Sequence, residues 1–338
     1  MKVKKVLNTA GYIVFVITSA LIILEVIYRN YFLDFYRSEF NGLNSTYLIK
    51  NETPKPTILA LGDSFTADPR GYVQILRDSL PNQRVINGGI PGTCIKETDI
   101  VAPSRIKKFN PRILIYQIYV GNDLLEFNHR INSGKISLLR RSYWFLSDRL
   151  YFLSYLNFRL RIFRELLHAD LENGEKPKET DSYSPDQYSQ RTKLLFEADP
   201  NFLENTILVK NSRQGDMSAF LRKLNNLVEA IPKDCSIYIL VIPHCAQIDT
   251  TYLQRMQQLG AIFLTPKADL EENYPFYVQL KSSIQRDNLY FINALPFLRD
   301  ANQEKRVFYE NDPHLNDHGQ TVVGKYLVDL IRKNKQLQ

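Results

Sequence analysis

Hydrophobic positions in this chain form three kinds of run, and each predicts a different element. The first is long and unbroken. Val6–Tyr28, "VLNTAGYIVFVITSALIILEVIY", follows Lys2, Lys4 and Lys5, and a helix of that length crosses the ~30 Å hydrocarbon layer of a bilayer. The small residues Thr18, Ser19 and Ala20 lie in mid-run, with "LIILEVIY" beyond them, which predicts an uncleaved anchor rather than a removed leader. Glu25, near the far end, is expected to reach toward headgroups. Three lysines before the run face Arg29 and Arg37 after it, so the N-terminus is expected inside and residues 30–338 outside the cytoplasm, as a single-pass membrane protein.

The second kind is short and continuous: "TILALG", "RVIN", "RILIYQIYV", "SIYILVIP" and "LYFIN". Such Val/Ile/Leu runs suit strands buried on both faces. Between them, "GYVQILRDSL" and "DMSAFLRKLNNLVEAI" have helical character. The alternation predicts an α/β fold, a flavodoxin-like α/β/α sandwich with about five parallel strands, whose ligands bind at the carboxyl ends of the strands. The third kind interrupts this rhythm between residues 124 and 215. Leu146, Leu150, Leu153, Leu156, Leu160, Phe163 and Leu167 repeat at helical spacing, predicting a helical insertion that packs or touches the membrane, followed by a polar loop, "ADLENGEKPKETDSYSPDQYSQ". The expected organisation is an anchor over 1–29, a stalk over 30–56 that ends in "NETPKP", and one domain over 57–338 carrying the insertion.

Composition adds two points. Between Leu124 and His168 there are eight Arg/Lys and three Asp/Glu, a net +5 (8 − 3) against +7 for the whole chain. The positive charge is therefore local, drawing the insertion toward anionic headgroups or an acidic polymer, and no nucleic-acid partner is expected. Cys94, Cys235 and Cys245 include no C-x-x-C pair, and a strand of ~3.3 Å per residue between the last two holds them beyond disulfide reach. Free structural thiols, no metal and no cofactor are expected.

Four short blocks carry candidate chemistry. "GDSF" places Asp63 and Ser64 after the first strand, "NGGIPG" runs from Asn87 to Gly92 after the second, "VGND" places Asn122 after the third, and "DPHLNDHG" places Asp312 and His314 before a final helix. A serine hydroxyl needs a base to become a nucleophile, and the base needs a carboxylate to fix its tautomer; Ser64, His314 and Asp312 supply that set. Each residue also has a bland reading. Gly, Asp and Ser favour turns for backbone reasons, Asp312 and His314 could be loop residues, and Asn122 could cap a strand. Asp63 is expected to bond within its own turn. His244, after the fourth strand, is a candidate pocket residue along with Asp63, and His129, His168 and His318 read as surface residues.

Together the blocks resemble the SGNH, or GDSL, hydrolase family over Thr57 to about Arg332, apart from the insertion. The resemblance implies an esterase or acylhydrolase working through an acyl-Ser64 intermediate. Its oxyanion donors would be the backbone N–H groups of Ser64 and Gly89 and the side-chain amide of Asn122. The commonest family pattern puts the acid three residues before the histidine, where this chain has Asn311. Asp312 stands two before, a spacing that resembles polysaccharide-modifying relatives, including alginate O-acetylation proteins. The implied substrate is an acyl ester or acylated carbohydrate, with polysaccharide-assembly proteins as candidate partners. An O-acetyltransferase with the same triad and a non-catalytic carbohydrate-binding component of an export assembly are the alternatives.

Overall fold

The computed structural model describes residues 2–31, 33–50, 55–124, 138–147, 149–160, 181–266 and 271–333. In chain order the elements are α1 (Lys2–Arg29), α2 (Arg37–Lys50), β1 (Thr57–Gly62), α3 (Tyr72–Ser79), β2 (Arg84–Gly89), α4 (Ile95–Phe109) and β3 (Ile113–Tyr119). Then come α5 (Leu138–Ser147), α6 (Tyr151–Leu160), α7 (Gln190–Ala198), α8 (Phe202–Ile207), α9 (Arg213–Ala230) and β4 (Ser236–Ile242). The chain closes with α10 (Thr250–Gln258), α11 (Pro275–Ser283), β5 (Leu289–Asn293), α12 (Leu295–Glu304) and α13 (Asp317–Lys333). Two compact units result, one from residues 1–35 with 137–169, the other from 36–136 with 170–338.

The larger unit is built on a five-stranded sheet in the order β2-β1-β3-β4-β5, parallel throughout. This is the flavodoxin-like order, with its switch point between β1 and β3. Every residue of β1, β3 and β4 is buried. Successive strand residues point to opposite faces, so full burial means that both faces are covered, as continuous apolar runs require. Ser64 and Asn122 follow the two strands that flank the switch point.

An edge strand leaves a row of unpaired backbone groups, and β2 is one edge of this sheet. Helix α2 closes it with side chains. The Asn44 amide accepts from Asn87 N–H at 2.9 Å and donates to Asn87 C=O at 2.7 Å, and the Tyr47 hydroxyl accepts from Val85 N–H at 2.9 Å. Arg77 also donates to Asn44 Oδ1 at 2.8 Å, and Phe40 stacks on Phe109 with centroids 5.5 Å apart. Part of the expected stalk is thus a helix packed on the sheet. Its buried residues are only Phe40 and Asn44, one of them polar, so no apolar stripe announces it.

In the smaller unit the helical repeat of the insertion does not run through. It breaks between Ser147 and Tyr151 into α5 and α6; Phe163 and Leu167 lie outside the described residues, as do His129 and His168. The break has a partner. The Glu25 carboxylate accepts from Tyr151 N–H at 2.9 Å and Phe152 N–H at 2.7 Å, capping the start of α6, and Arg29 pairs with it. Glu25 is 8% exposed, so the expectation that it reaches toward headgroups is corrected: it is a helix cap.

Asn44→Ala leaves buried groups of β2 without partners, which should cost about 1–3 kcal/mol. Thermal unfolding of the full chain in detergent should show a lower Tm than the native protein. An unchanged Tm would mean that α2 does not hold the edge.

Candidate active site

The turn after β1 is held from several sides. Asp63 Oδ1 accepts from Phe65 N–H at 3.0 Å, and Ala67 N–H closes on Asp63 C=O at 2.9 Å. Gln117 of β3 accepts from Asp63 N–H and from the Thr66 hydroxyl, while Asn87 of β2 donates to Thr66 C=O at 2.7 Å. Gln320 of α13 donates to Phe65 C=O at 3.2 Å. Buried polar side chains from β2, β3 and α13 therefore fix one turn, and Ser64 projects from it. Asp63 is buried and bonds within its own turn.

Ser64 Oγ lies 2.7 Å from His314 Nε2, and His314 Nδ1 lies 2.5 Å from Asp312 Oδ1. With Nδ1–H donating to the carboxylate, Nε2 is bare and accepts the serine proton. The two-residue spacing has a geometric reason. Asp312 Oδ1 also accepts from His314 N–H at 2.8 Å, so one carboxylate fixes both backbone and ring. Asn311, three before the histidine, is used otherwise: its side chain donates to Ser182 C=O and Gln187 Oε1 and accepts from Ser184 N–H. It ties the 182–187 segment to the loop that carries the acid.

Burial alone would lower the His314 pKa, but the Asp312 carboxylate outweighs it and holds the imidazole above its ordinary 6.5. The His314 side chain is 43% exposed and that of Asp312 25%. Its ring leans on Phe65 with centroids 4.9 Å apart, and Tyr119 OH donates to Pro313 C=O at 3.2 Å.

A second histidine stands near a thiol, and its environment is opposite. His244 is 5% exposed, its Nδ1 accepts from Ala246 N–H at 3.1 Å, and it stacks on Tyr119. Burial pushes His244 down to about 3 and Cys245 up to about 12. A neutral imidazole beside a protonated thiol is no nucleophilic pair. His244 caps the short 3-10 turn Cys245–Gln247. His318 is half-buried on α13 rather than a surface residue. All three cysteines are free and buried.

Two of the three expected oxyanion donors stand ready. Neither the Ser64 N–H nor the Nδ2 of the half-buried Asn122 has a hydrogen-bond partner among the described residues. Gly89 differs. Its N–H donates to Asn87 Oδ1 at 3.0 Å, so it is committed within β2. It is a glycine because a Cβ there would meet Ala67 N at 2.5 Å. Gly92 in the same block is exposed, has φ +66°, meets nothing within 4 Å at a Cβ position, and has an N–H without a partner among the described residues. A run of three glycines, "NGGIPG", does not reveal which N–H is free.

Neither a protein-family model nor a curated protein matches this chain. Solved structures similar to it include a member of the lipolytic protein G-D-S-L family from Veillonella parvula DSM 2008, at 13% identity over 82% of this chain and 98% of that one, with TM-score 0.40. A catalytic mutant of an acetylxylan esterase from Geobacillus stearothermophilus is similar at 12% identity over 84% and 96%, TM-score 0.40. A lipase from a goat rumen metagenome is similar at 12% identity over 81% and 97%, TM-score 0.39.

A protonated His314 cannot take the Ser64 proton, so labelling of Ser64 by a fluorophosphonate should fall away as pH drops through the His314 pKa. Its midpoint should lie above 6.5 in the native protein and move to lower pH in Asp312→Asn, where burial acts without that carboxylate. An unshifted midpoint would show that Asp312 does not hold the base.

Proposed function

We propose that this protein is a serine esterase that removes short acyl groups, foremost O-acetyl groups, from a carbohydrate. The observation that carries the reading is the continuous Ser64–His314–Asp312 hydrogen-bonded chain, at 2.7 and 2.5 Å, at the carboxyl end of β1. Ser64 Oγ attacks the ester carbonyl as its proton passes to His314 Nε2, and Asp312 stabilises the imidazolium. The oxyanion is met by Ser64 N–H, the Asn122 amide and Gly92 N–H. His314 then gives the proton to the departing sugar oxygen as the C–O bond breaks, leaving acyl-Ser64. Water repeats the sequence: its proton goes to His314, its oxygen bonds the acyl carbon, and Ser64 leaves with the proton restored. The products are the free sugar hydroxyl and a carboxylic acid.

The carbohydrate assignment rests on the Asp312-x-His314 spacing. Hydrolysis is favoured over transfer by the exposure of His314, because a transferase excludes water from its acyl-enzyme. A binding-only role has no use for an assembled nucleophile, base and acid. In this reading α1 anchors the protein and the catalytic domain faces away from the cytoplasm, which Lys2, Lys4 and Lys5 ahead of the span support.

The full chain in detergent, given an activated acetyl ester, should release acetate at a rate unchanged by added oligosaccharide. Acetylated oligosaccharide as the main product would overturn the hydrolytic reading. Ser64→Ala and His314→Ala should each abolish nearly all turnover, with the double variant no worse. Asn122→Ala should lose roughly 10²–10³-fold.

A further inference from the structure

The smaller unit holds a second arrangement that the catalytic chemistry does not use. Within α1, the 22-residue stretch Asn8–Arg29 reaches a mean hydropathy of 2.4 over its most apolar 18 residues, and its large apolar side chains stand exposed, among them Phe15 at 67% and Ile23 at 60%. A removable leader and a permanent anchor share that description. They differ in what their last turns do.

Here the last two turns of α1 are built into the fold. Besides the Glu25 cap on α6, Tyr28 is fully buried, stacked on Tyr155 at 5.6 Å and edge-on to Phe35 and Phe152 at 5.0 and 6.3 Å. Arg29 donates to Arg149 C=O at 2.7 Å and lies over the Tyr151 ring at 4.1 Å. The Tyr155 hydroxyl donates to Phe35 C=O at 3.2 Å, and Arg159 donates to the same oxygen. Cleavage before Tyr31 would remove Glu25, Tyr28 and Arg29 together, uncap α6 and open the aromatic cluster.

The same contacts set the level of the insertion helices. Glu25 and Arg29 mark the end of the apolar span, and α6 begins on them. Close to that level are Leu33, 60% exposed and shortly after Arg29 in the chain, and Phe145, 57% exposed, whose ring lies 3.7 Å under the guanidinium of Arg149, the residue whose C=O Arg29 holds. Apolar side chains beside arginines at the mouth of a span suit the boundary between acyl chains and phosphates.

We infer that α1 is a permanent anchor, that α6 docks on its last turns with α5 packed on α6, and that this end of the unit lies in the headgroup layer of a phospholipid bilayer, with Leu33 and Phe145 in the lipid. The bilayer is the occupant because α6 starts on Glu25 and Arg29, at the end of the apolar span. The inference rests on α1 crossing a membrane and is independent of the esterase chemistry.

The test uses the full chain in vesicles of phosphatidylcholine and phosphatidylglycerol with no other protein. Leu33→Cys and Phe145→Cys are labelled with a fluorophore, the native thiols being buried, and nitroxide lipids of known depth serve as quenchers. Both labels should be quenched most by the shallow nitroxide, and the chain purified from membranes should retain α1. Glu25→Gln, which keeps the side-chain shape, should speed tryptic cleavage at Arg149 and Arg159 roughly tenfold by weakening the cap. A mature chain beginning near residue 30 would overturn the anchor. Labels that no lipid quenches would overturn the interfacial placement, and cleavage unchanged in Glu25→Gln would overturn the docking.

Discussion

The 2.7 Å contact between Ser64 Oγ and His314 Nε2 joins residues 250 apart in sequence, and the larger unit is arranged around holding it. A nucleophile and base misplaced by ~1 Å lose much of their rate advantage. On the serine side, the sheet itself is the template: β1 ends between β2 and β3, and Asn87 and Gln117 reach from those neighbours to the turn. On the histidine side, an antiparallel bridge between Phe308 and Leu315 closes the loop, and Asn316 stitches it to Arg306 C=O at 2.8 Å. Gln320 spans both halves, donating to Phe65 C=O and accepting from Tyr72 N–H at 3.0 Å.

Most of these ties are side-chain amides buried against backbone. Such groups are costly to leave unpaired and modest in net stabilisation when paired, so their effect is to select one geometry. Asn44 shows how far the chain of constraint extends. It holds Asn87, and Asn87 holds both Gly89 N–H and Thr66 C=O. The helix that closes the sheet edge thereby also braces the nucleophile turn. The contrast between the two histidines follows from the same logic. His314 has a carboxylate and access to water, so it can change charge; His244 has neither and serves as a cap.

The strands were legible because a strand buried on both faces must be apolar at every position, and "TILALG" and "SIYILVIP" are nearly so. Ser64, Asp312 and His314 were legible because each sits in a short block whose chemistry is local. What the pattern concealed depended on contacts between distant segments. Helix α2 buries a single aromatic and an asparagine, so it reads as a polar stalk. Glu25 reads as a flaw in an apolar run until Tyr151 and Phe152 supply donors for it. Gly89 and Gly92 are indistinguishable as letters and separate only in the fold, where Asn87 takes the Gly89 N–H and Gly92 stands exposed with φ +66°. The break between α5 and α6 is invisible to a leucine repeat that continues across it.

Covalent catalysis at Ser64 requires that residue to hold the acyl group during turnover. Acid quenching of the full chain during turnover of an activated acetyl ester, followed by peptide mapping with mass spectrometry, measures this directly. One acetyl group is expected on the peptide that contains Ser64 in the native protein, and none there in Ser64→Ala. An acetyl group on another residue that turns over at the rate of acetate release, with Ser64 unmodified, would contradict it.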